Sequence, residues 1–172
     1  MAYADTNFLV AYFFKREEKH IIAQKALEEL KRKGKDIFIS PITIAELFCV
    51  ISRDRQKYRL PRIYEDKLDE ETRVKLLVNL VLKSLSAKVV DDEAKLEELD
   101  SAKLFHVFKK ATDYSYRLKL KTLDTLHVVY ASLLAEDGLI DMIVTFDNVF
   151  LKKKEQLSSL GLNVFVPSET DC

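Results

Sequence analysis

Apolar and polar positions fall into blocks whose spacing changes along the chain. Ala2 to Ala4 form a short apolar run that predicts a buried strand, and Phe8 to Phe14 predict the helix behind it. From Glu17 to Arg32 apolar residues recur at helical spacing, with Ala23, Ala26, Leu27 and Leu30 on one face, until Gly34 stops the pattern. "DIFIS" at 36–40 predicts a second strand, and Ser40-Pro41 signals the start of a helix. Val74, Leu77, Val78, Val81 and Leu85 mark another helix, and "AKVV" at 87–90 a third strand. Leu104, Val107, Phe108, Ala111 and Ser115 share a helical face, and Leu123 to Leu134 is helical. "LIDMIVTF" at 139–146 and "LNVFVP" at 162–167, closed by Pro167, predict the last strands. Strands alternating with helices from end to end predict an α/β fold, a three-layer α/β/α sandwich around a central parallel sheet of about four to five strands with right-handed crossovers. In such sheets ligands bind beyond the carboxyl ends of the strands.

That topology gives four acids a common address. Asp5 ends the first strand, Asp147 follows "MIVTF", Glu46 lies early in the helix after "DIFIS", and Asp124 lies in the first turn of "LDTLHVVYA". Each also has a purely structural role open to it. Asp5 and Asp147 read as helix caps, Thr43-x-x-Glu46 as a capping box, and Asp124 as a first-turn acid with Thr122 as cap. Together at one edge, and with Asp5 and Glu46 in apolar surroundings, they point further. Carboxylates crowded within a few ångströms need protons or a cation. An oxygen-only donor set favours Mg²⁺ or Mn²⁺, whose chemistry is in-line attack of activated water on a phosphodiester. Thr6, Asn7 and Thr145 are placed to orient the acids or to hold a metal's waters, or else simply to turn the chain.

Composition narrows the class. The 172 residues fit one domain, 48% hydrophobic and 33% charged, with a charged helical arm at about 53–86. The formal net charge is +0, so a nucleic acid would have to be met by local patches. Cys49 and Cys172 give neither a disulfide framework nor zinc spacing, which suits a reducing, cytoplasmic setting. No basic leader precedes the first apolar run and no stretch approaches the ~18 apolar residues of a membrane span, so neither a signal peptide nor a membrane is expected. His20, His106 and His127 are scattered, which argues against a histidine acid–base nuclease; His127, one helical turn after Asp124, reads as a packed structural histidine.

The ordered stretches "YADTNFLVAYF", "SPITIAELF", "LKTLDTLHVVYAS", "IVTFDNVFLK" and "GLNVFVP" resemble the PIN-domain ribonucleases, including the VapC-type toxins of toxin–antitoxin pairs. The resemblance maps the family's acids onto Asp5, Glu46, Asp124 and the Thr145-Phe146-Asp147 stretch. It implies a Mg²⁺- or Mn²⁺-dependent endoribonuclease, often a homodimer, blocked by a small antitoxin protein. Asp5 and Asp124 would be the main metal ligands, with Glu46 and Asp147 completing the set. The long charged stretch after the Glu46 helix departs from a compact toxin. An RNA-processing nuclease, a structure-specific DNA nuclease and a non-catalytic nucleic-acid-binding or scaffold domain are the alternatives.

"RDRQKYRLPRIY" at 53–64 interleaves cations with Tyr58 and Tyr64, an RNA-stacking pattern as well as that of a solvated arm. Arg53, Arg55, Lys119 and Lys121 are the candidate RNA contacts, with Arg117 beside them. "LKKKEQL" at 151–157 reads as a solvated helix face, and "DDEAKLEELD" at 91–100 as an acidic surface.

Overall fold

The computed structural model describes residues 1–65, 67–90, 95–99 and 102–168. Five strands form one sheet: β1 (Ala2–Ala4), β2 (Ile37–Ile39), β3 (Lys88–Val89), β6 (Met142–Val144) and β7 (Asn163–Phe165). Their order is β3-β2-β1-β6-β7 and every pairing is parallel. A separate antiparallel hairpin joins β4 (Leu96–Leu99) to β5 (Ala102–Phe105). The helices are α1 (Thr6–Phe13), α2 (His20–Arg32), α3 (Pro41–Arg53), α4 (Arg62–Glu65), α5 (Glu70–Leu85), α6 (His106–Leu118), α7 (Thr122–Glu136), α8 (Asn148–Leu151) and α9 (Lys154–Ser158).

β1 shows why the sheet is buried on both faces. Its side chains alternate, so Ala2 and Ala4 join one core and Tyr3 the other. The first core packs α1, α2, α3 and α5 through Phe8, Leu27, Leu47 and Leu77; the second packs α6 and α7 through Tyr114, Leu118 and Val129. The α/β/α sandwich and its parallel sheet are as the periodicity predicts.

Several local expectations are corrected. α1 starts at Thr6, two residues earlier than the apolar run suggests, because Asp5 caps it. Thr43 pairs with Ser40 in the capping box at the head of α3, so Glu46 is not the cap partner. Thr122 is the first residue of α7, and Lys121 stands at its cap position without a side-chain bond. Leu104 belongs to β5, not to a helix. The buried stripe of α6 runs through Val107, Ala111, Tyr114 and Leu118, leaving Phe108 and Ser115 off it. Residues 91–94 and 100 of the acidic segment lie outside the described residues; Leu96–Leu99 within it is a strand. Cys49 is exposed on α3, and Cys172 lies outside the described residues.

Within the stretch 53–86, α5 is a layer of the core. Val74, Leu77, Val78, Val81 and Leu85 are buried, and the helix packs against α1 and α3. Tyr58 is buried too, its ring 4.5 Å from that of Phe14 and its hydroxyl donating to Glu17 Oε1 at 2.9 Å, so it offers no free face to a base. Arg73 is fully buried on α5. Its Nη1 donates to the Tyr58 carbonyl at 3.0 Å, while Nε and Nη2 have no partner. A guanidinium so placed fixes the 54–60 turn at the cost of unmet donors. Arg73→Ala, which adds a cavity and orphans that carbonyl, is expected to lower the unfolding free energy by about 3 kcal/mol. Arg73→Met, which keeps the volume and removes the unmet donors, is expected to recover most of that loss in urea titrations.

Candidate active site at the carboxyl edge of the sheet

Asp5, Glu46, Asp124 and Asp147 lie around the carboxyl ends of β1 and β6. Asp5 follows β1 directly, and its backbone N–H extends the ladder to the Val144 carbonyl at 3.2 Å. Its two oxygens do different things. Oδ1 accepts the Phe8 N–H at 2.9 Å, which makes Asp5 the cap of α1. Oδ2 accepts the Thr145 hydroxyl at 2.5 Å. Thr145 Oγ1 in turn accepts the Asp147 N–H at 2.9 Å, and Asp147 Oδ1 caps α8 by accepting the Val149 N–H at 2.9 Å. Asp5, Thr145 and Asp147 are thus one linked unit across two neighbouring strand ends. The capping roles read from the sequence for Asp5 and Asp147 hold together with their place at this edge.

Glu46 is held by a second unit. Its Oε2 accepts the Thr6 hydroxyl at 2.5 Å and faces His127 Nε2 at 2.7 Å. His127 Nδ1 is 2.7 Å from the Tyr3 hydroxyl, which is 2.7 Å from Ser40 Oγ and 3.3 Å from Thr43 Oγ1. An ionised Glu46 only accepts, so Nε2 carries the hydrogen there, and in the neutral ring Nδ1 accepts from Tyr3. The wire therefore runs from the buried side of β1 and the head of α3 through α7 to the carboxylate. Thr6 serves Glu46 rather than Asp5, and Asn7 is exposed in the first turn of α1.

Electrostatics separates the acids. Burial pushes Asp5 up from 3.8 to about 6, against the Thr145 and Phe8 hydrogen bonds and the nearby His127, with Glu46 adding to the rise. Burial also raises Glu46, but the His127 and Thr6 hydrogen bonds and the nearness of His127 and Arg53 outweigh it, so its net shift is downward. Asp124 is half-buried and raised, first by burial and then by the charge of Asp147; Lys121 and His127 oppose this, and Glu46 adds to it. Tyr3 is raised by burial, which keeps its phenol a neutral donor. Among the expected RNA contacts, Arg53 and Lys121 bear electrostatically on the acids, while Arg55 and Lys119 are exposed further out on the turn after α3 and at the left-handed end of α6.

The expectation of carboxylates crowded within a few ångströms is not met. Among the described residues no three His, Cys, Asp or Glu side chains are gathered closely enough to hold one metal ion. The physical reason lies in the bonds just described. Asp5, Glu46 and Asp147 are each turned toward donors of the protein, and like charges resist closer approach. The donor set still fits a hard divalent cation: it offers carboxylate oxygens, and Asp124, raised first by burial, is raised further by the charge of Asp147, which a cation would relieve.

Tyr3, His127 and Ser40 are the functional neighbours that sequence reasoning missed. The available signal was Tyr3 itself, a hydroxyl inside an otherwise apolar strand, since a buried tyrosine usually finds a partner. Tyr3→Phe would leave Ser40, Thr43 and His127 facing an apolar edge. It is expected to cost about 2 kcal/mol of stability, read from chemical denaturation.

A parallel α/β/α domain with acids around the carboxyl end of its central strands is a recurrent class of acidic-site fold. The chain belongs to the PIN domain family, whose sequence pattern matches residues 2–156. Two solved structures share the fold. One is VapBC2 from Rickettsia felis bound to a DNA fragment from their promoter, 20% identical, TM-score 0.57, covering 96% of this chain and 99% of that one. The other is VapC20 from Mycobacterium tuberculosis, a Sarcin-Ricin loop cleaving toxin, 13% identical, TM-score 0.56, covering 88% of this chain and 94% of that one. At these identities the likeness is one of fold. No curated protein matches the chain in sequence. No helix among the described residues is long and apolar enough to cross a membrane.

Proposed function

We propose that this protein is a Mg²⁺- or Mn²⁺-dependent endoribonuclease, a single PIN domain acting as the toxin of a toxin–antitoxin pair. The observation that carries the reading is the pair of hydrogen-bonded units that hold Asp5 with Asp147 and Glu46 with His127 at one sheet edge. The structural neighbours support it by analogy, one being a Sarcin-Ricin loop cleaving toxin and the other a VapBC assembly. On the same analogy the chain is cytoplasmic, homodimeric and held inactive by a small antitoxin protein.

Asp5, Asp124, Glu46 and Asp147 would hold the divalent ion. When bound, such an ion supplies Lewis-acid stabilisation of phosphate charge and an activated water. The protein's own contributions follow from its geometry. Thr145 fixes Asp5 and Asp147 in one frame. The Thr6 and His127 donors keep Glu46 ionised and aimed. Lys121 and Arg53 place positive charge beside the acids, where a phosphate would lie. No serine or cysteine with an adjacent base accompanies the acids among the described residues, so no covalent enzyme intermediate is assigned.

The test is incubation of end-labelled single-stranded RNA with the purified protein and Mg²⁺, Mn²⁺ or EDTA. Internal cleavage is expected with either metal and none with EDTA. Cleavage that persists in EDTA would sink the reading, and so would cutting of duplex DNA in preference to RNA.

A further inference from the structure

A groove made of two neighbouring cavities lies between the end of α1, the start of α2 and the turn after α3. Its far end is a cavity of ≈ 400 Å³ with Phe13 and Pro61 in its wall and Lys15, Arg16, Lys57 and Arg59 around it. A second cavity of ≈ 370 Å³ shares Arg16 and Lys57 with the first and continues to Lys19. Lys19 Nζ then donates to the Phe146 carbonyl at 3.2 Å and sits 4.8 Å from the centre of the Phe146 ring. Phe146 is the residue between Thr145 and Asp147, so Lys19 at the near end of the groove touches the backbone segment that carries two residues of the candidate active site.

The charges along this path are mostly uncommitted. Lys57 is paired with Glu17 at 2.9 Å. Glu17 also accepts from Tyr58, so its charge is met twice. Glu18 remains in the wall as an opposing acid. Among the described residues Lys15, Arg16, Lys19 and Arg59 take part in no ion pair, and Lys15, Arg16, Lys19 and Arg59 are exposed. The turn carrying Lys57 and Arg59 is held by Arg16 Nη1, which donates to the Gln56 carbonyl at 3.0 Å, and from below by Arg73.

We infer that this groove is the track for a single-stranded nucleic acid leaving the active site, with Lys15, Arg16, Lys19 and Arg59 on its phosphates and a base against Phe13 and Pro61. The inference rests on the nuclease reading above for its direction. The chemistry favours a nucleic acid over an acidic polypeptide for two reasons. Cations arranged beside an apolar wall with an aromatic ring match a backbone of phosphates carrying flat bases. The path also approaches the acids proposed to cut a phosphodiester, which a nucleic-acid strand must reach and an acidic polypeptide need not.

Fluorescence anisotropy of a labelled single-stranded RNA of about 12 nucleotides, titrated with the full chain in EDTA, tests this without cleavage. Lys15→Ala combined with Arg59→Ala removes charges that hold no other part of the fold. The double variant is expected to bind roughly tenfold more weakly and to lower the slope of log affinity against log salt by about 1.4. Arg32→Ala with Lys33→Ala, at the opposite end of α2, removes the same charge and is expected to change affinity less than twofold. Equal weakening by the two double variants would overturn the assignment. Displacement of the RNA by polyglutamate as readily as by unlabelled RNA would also overturn it and assign the groove to an acidic protein. Cleavage in Mn²⁺ is scored separately, so a groove that fails leaves the nuclease reading intact, and a failed nuclease leaves the binding result standing.

Discussion

Asp5→Asn is expected to abolish RNA cleavage, to below about 1% of the parent rate, while making the protein more stable at pH 8. Most substitutions at a buried polar position destabilise; this one is expected to stabilise because the native carboxylate is held at a cost. Its folded pKa of about 6 stands above the ordinary 3.8, so between those values the native state binds more protons than the unfolded state. Stability from this group therefore falls as pH rises through that window, and above pH 6 the full penalty of about 3 kcal/mol applies. Asparagine removes the charge. Its amide oxygen still accepts the Phe8 N–H, and its NH₂ can donate to Thr145 Oγ1. Some hydrogen-bond energy is lost in that reversal, so the net gain at pH 8 is about 1–2 kcal/mol, a rise in Tm of roughly 2–8 °C. At pH 4 the parent's carboxyl is protonated and the advantage disappears. Melting both proteins in EDTA from pH 4 to 8 checks this; a Tm difference that stays constant with pH would contradict the buried, raised carboxyl. The cleavage loss follows because the amide offers neither the charge nor the second anionic oxygen that a cation requires.

Mn²⁺ is expected to raise Tm by about 5–10 °C at pH 7.5 when present at 100 times its dissociation constant, a linkage of about 2.7 kcal/mol. An ion held by acids that only the folded chain brings to one edge stabilises only the folded state. Asp124 is a direct reporter, since burial first and then the charge of Asp147 hold its pKa up. The shift should shrink at pH 5, where protons occupy Asp5 and compete with the metal. Asp124→Asn should remove most of it, as should Asp5→Asn. A Tm indifferent to Mn²⁺ at pH 7.5, or a shift unchanged in Asp124→Asn, would remove the metal from the proposal. The experiment needs no substrate, so it separates ion binding from any narrow RNA specificity.

The positioning of Glu46 shows how far a linear pattern can be followed. Glu46 was legible as an acid early in a helix that follows a strand, because helix N-termini above a parallel sheet face one edge. Its partner was not. Thr43 three residues earlier looked like the cap partner, whereas α3 begins at Pro41 and Thr43 itself completes the box with Ser40. His127 looked like packing, because nothing in a sequence measures the distance from α7 to α3. The hairpin of β4 and β5 was missed for a similar reason. Leu104 fits the helical spacing of α6 as well as it fits a strand, and only pairing with Glu97 decides between them. Tyr58 offered the reverse case, an aromatic among cations that folding turns inward onto Phe14.

The chain by itself determined the alternation of strands and helices, and with it the parallel sheet and the edge at which Asp5, Glu46, Asp124 and Asp147 meet. Periodicity carries that much because each strand and helix must bury one face, and the order of elements then limits the connections. Tertiary structure alone decided which hydroxyl serves which carboxylate, that no three acids among the described residues gather closely enough to hold one ion, and that Lys19 of the basic groove touches Phe146. Those outcomes depend on separations of a few ångströms between residues up to 140 positions apart, as for Thr145 and Asp5, and no local rule of spacing sets them.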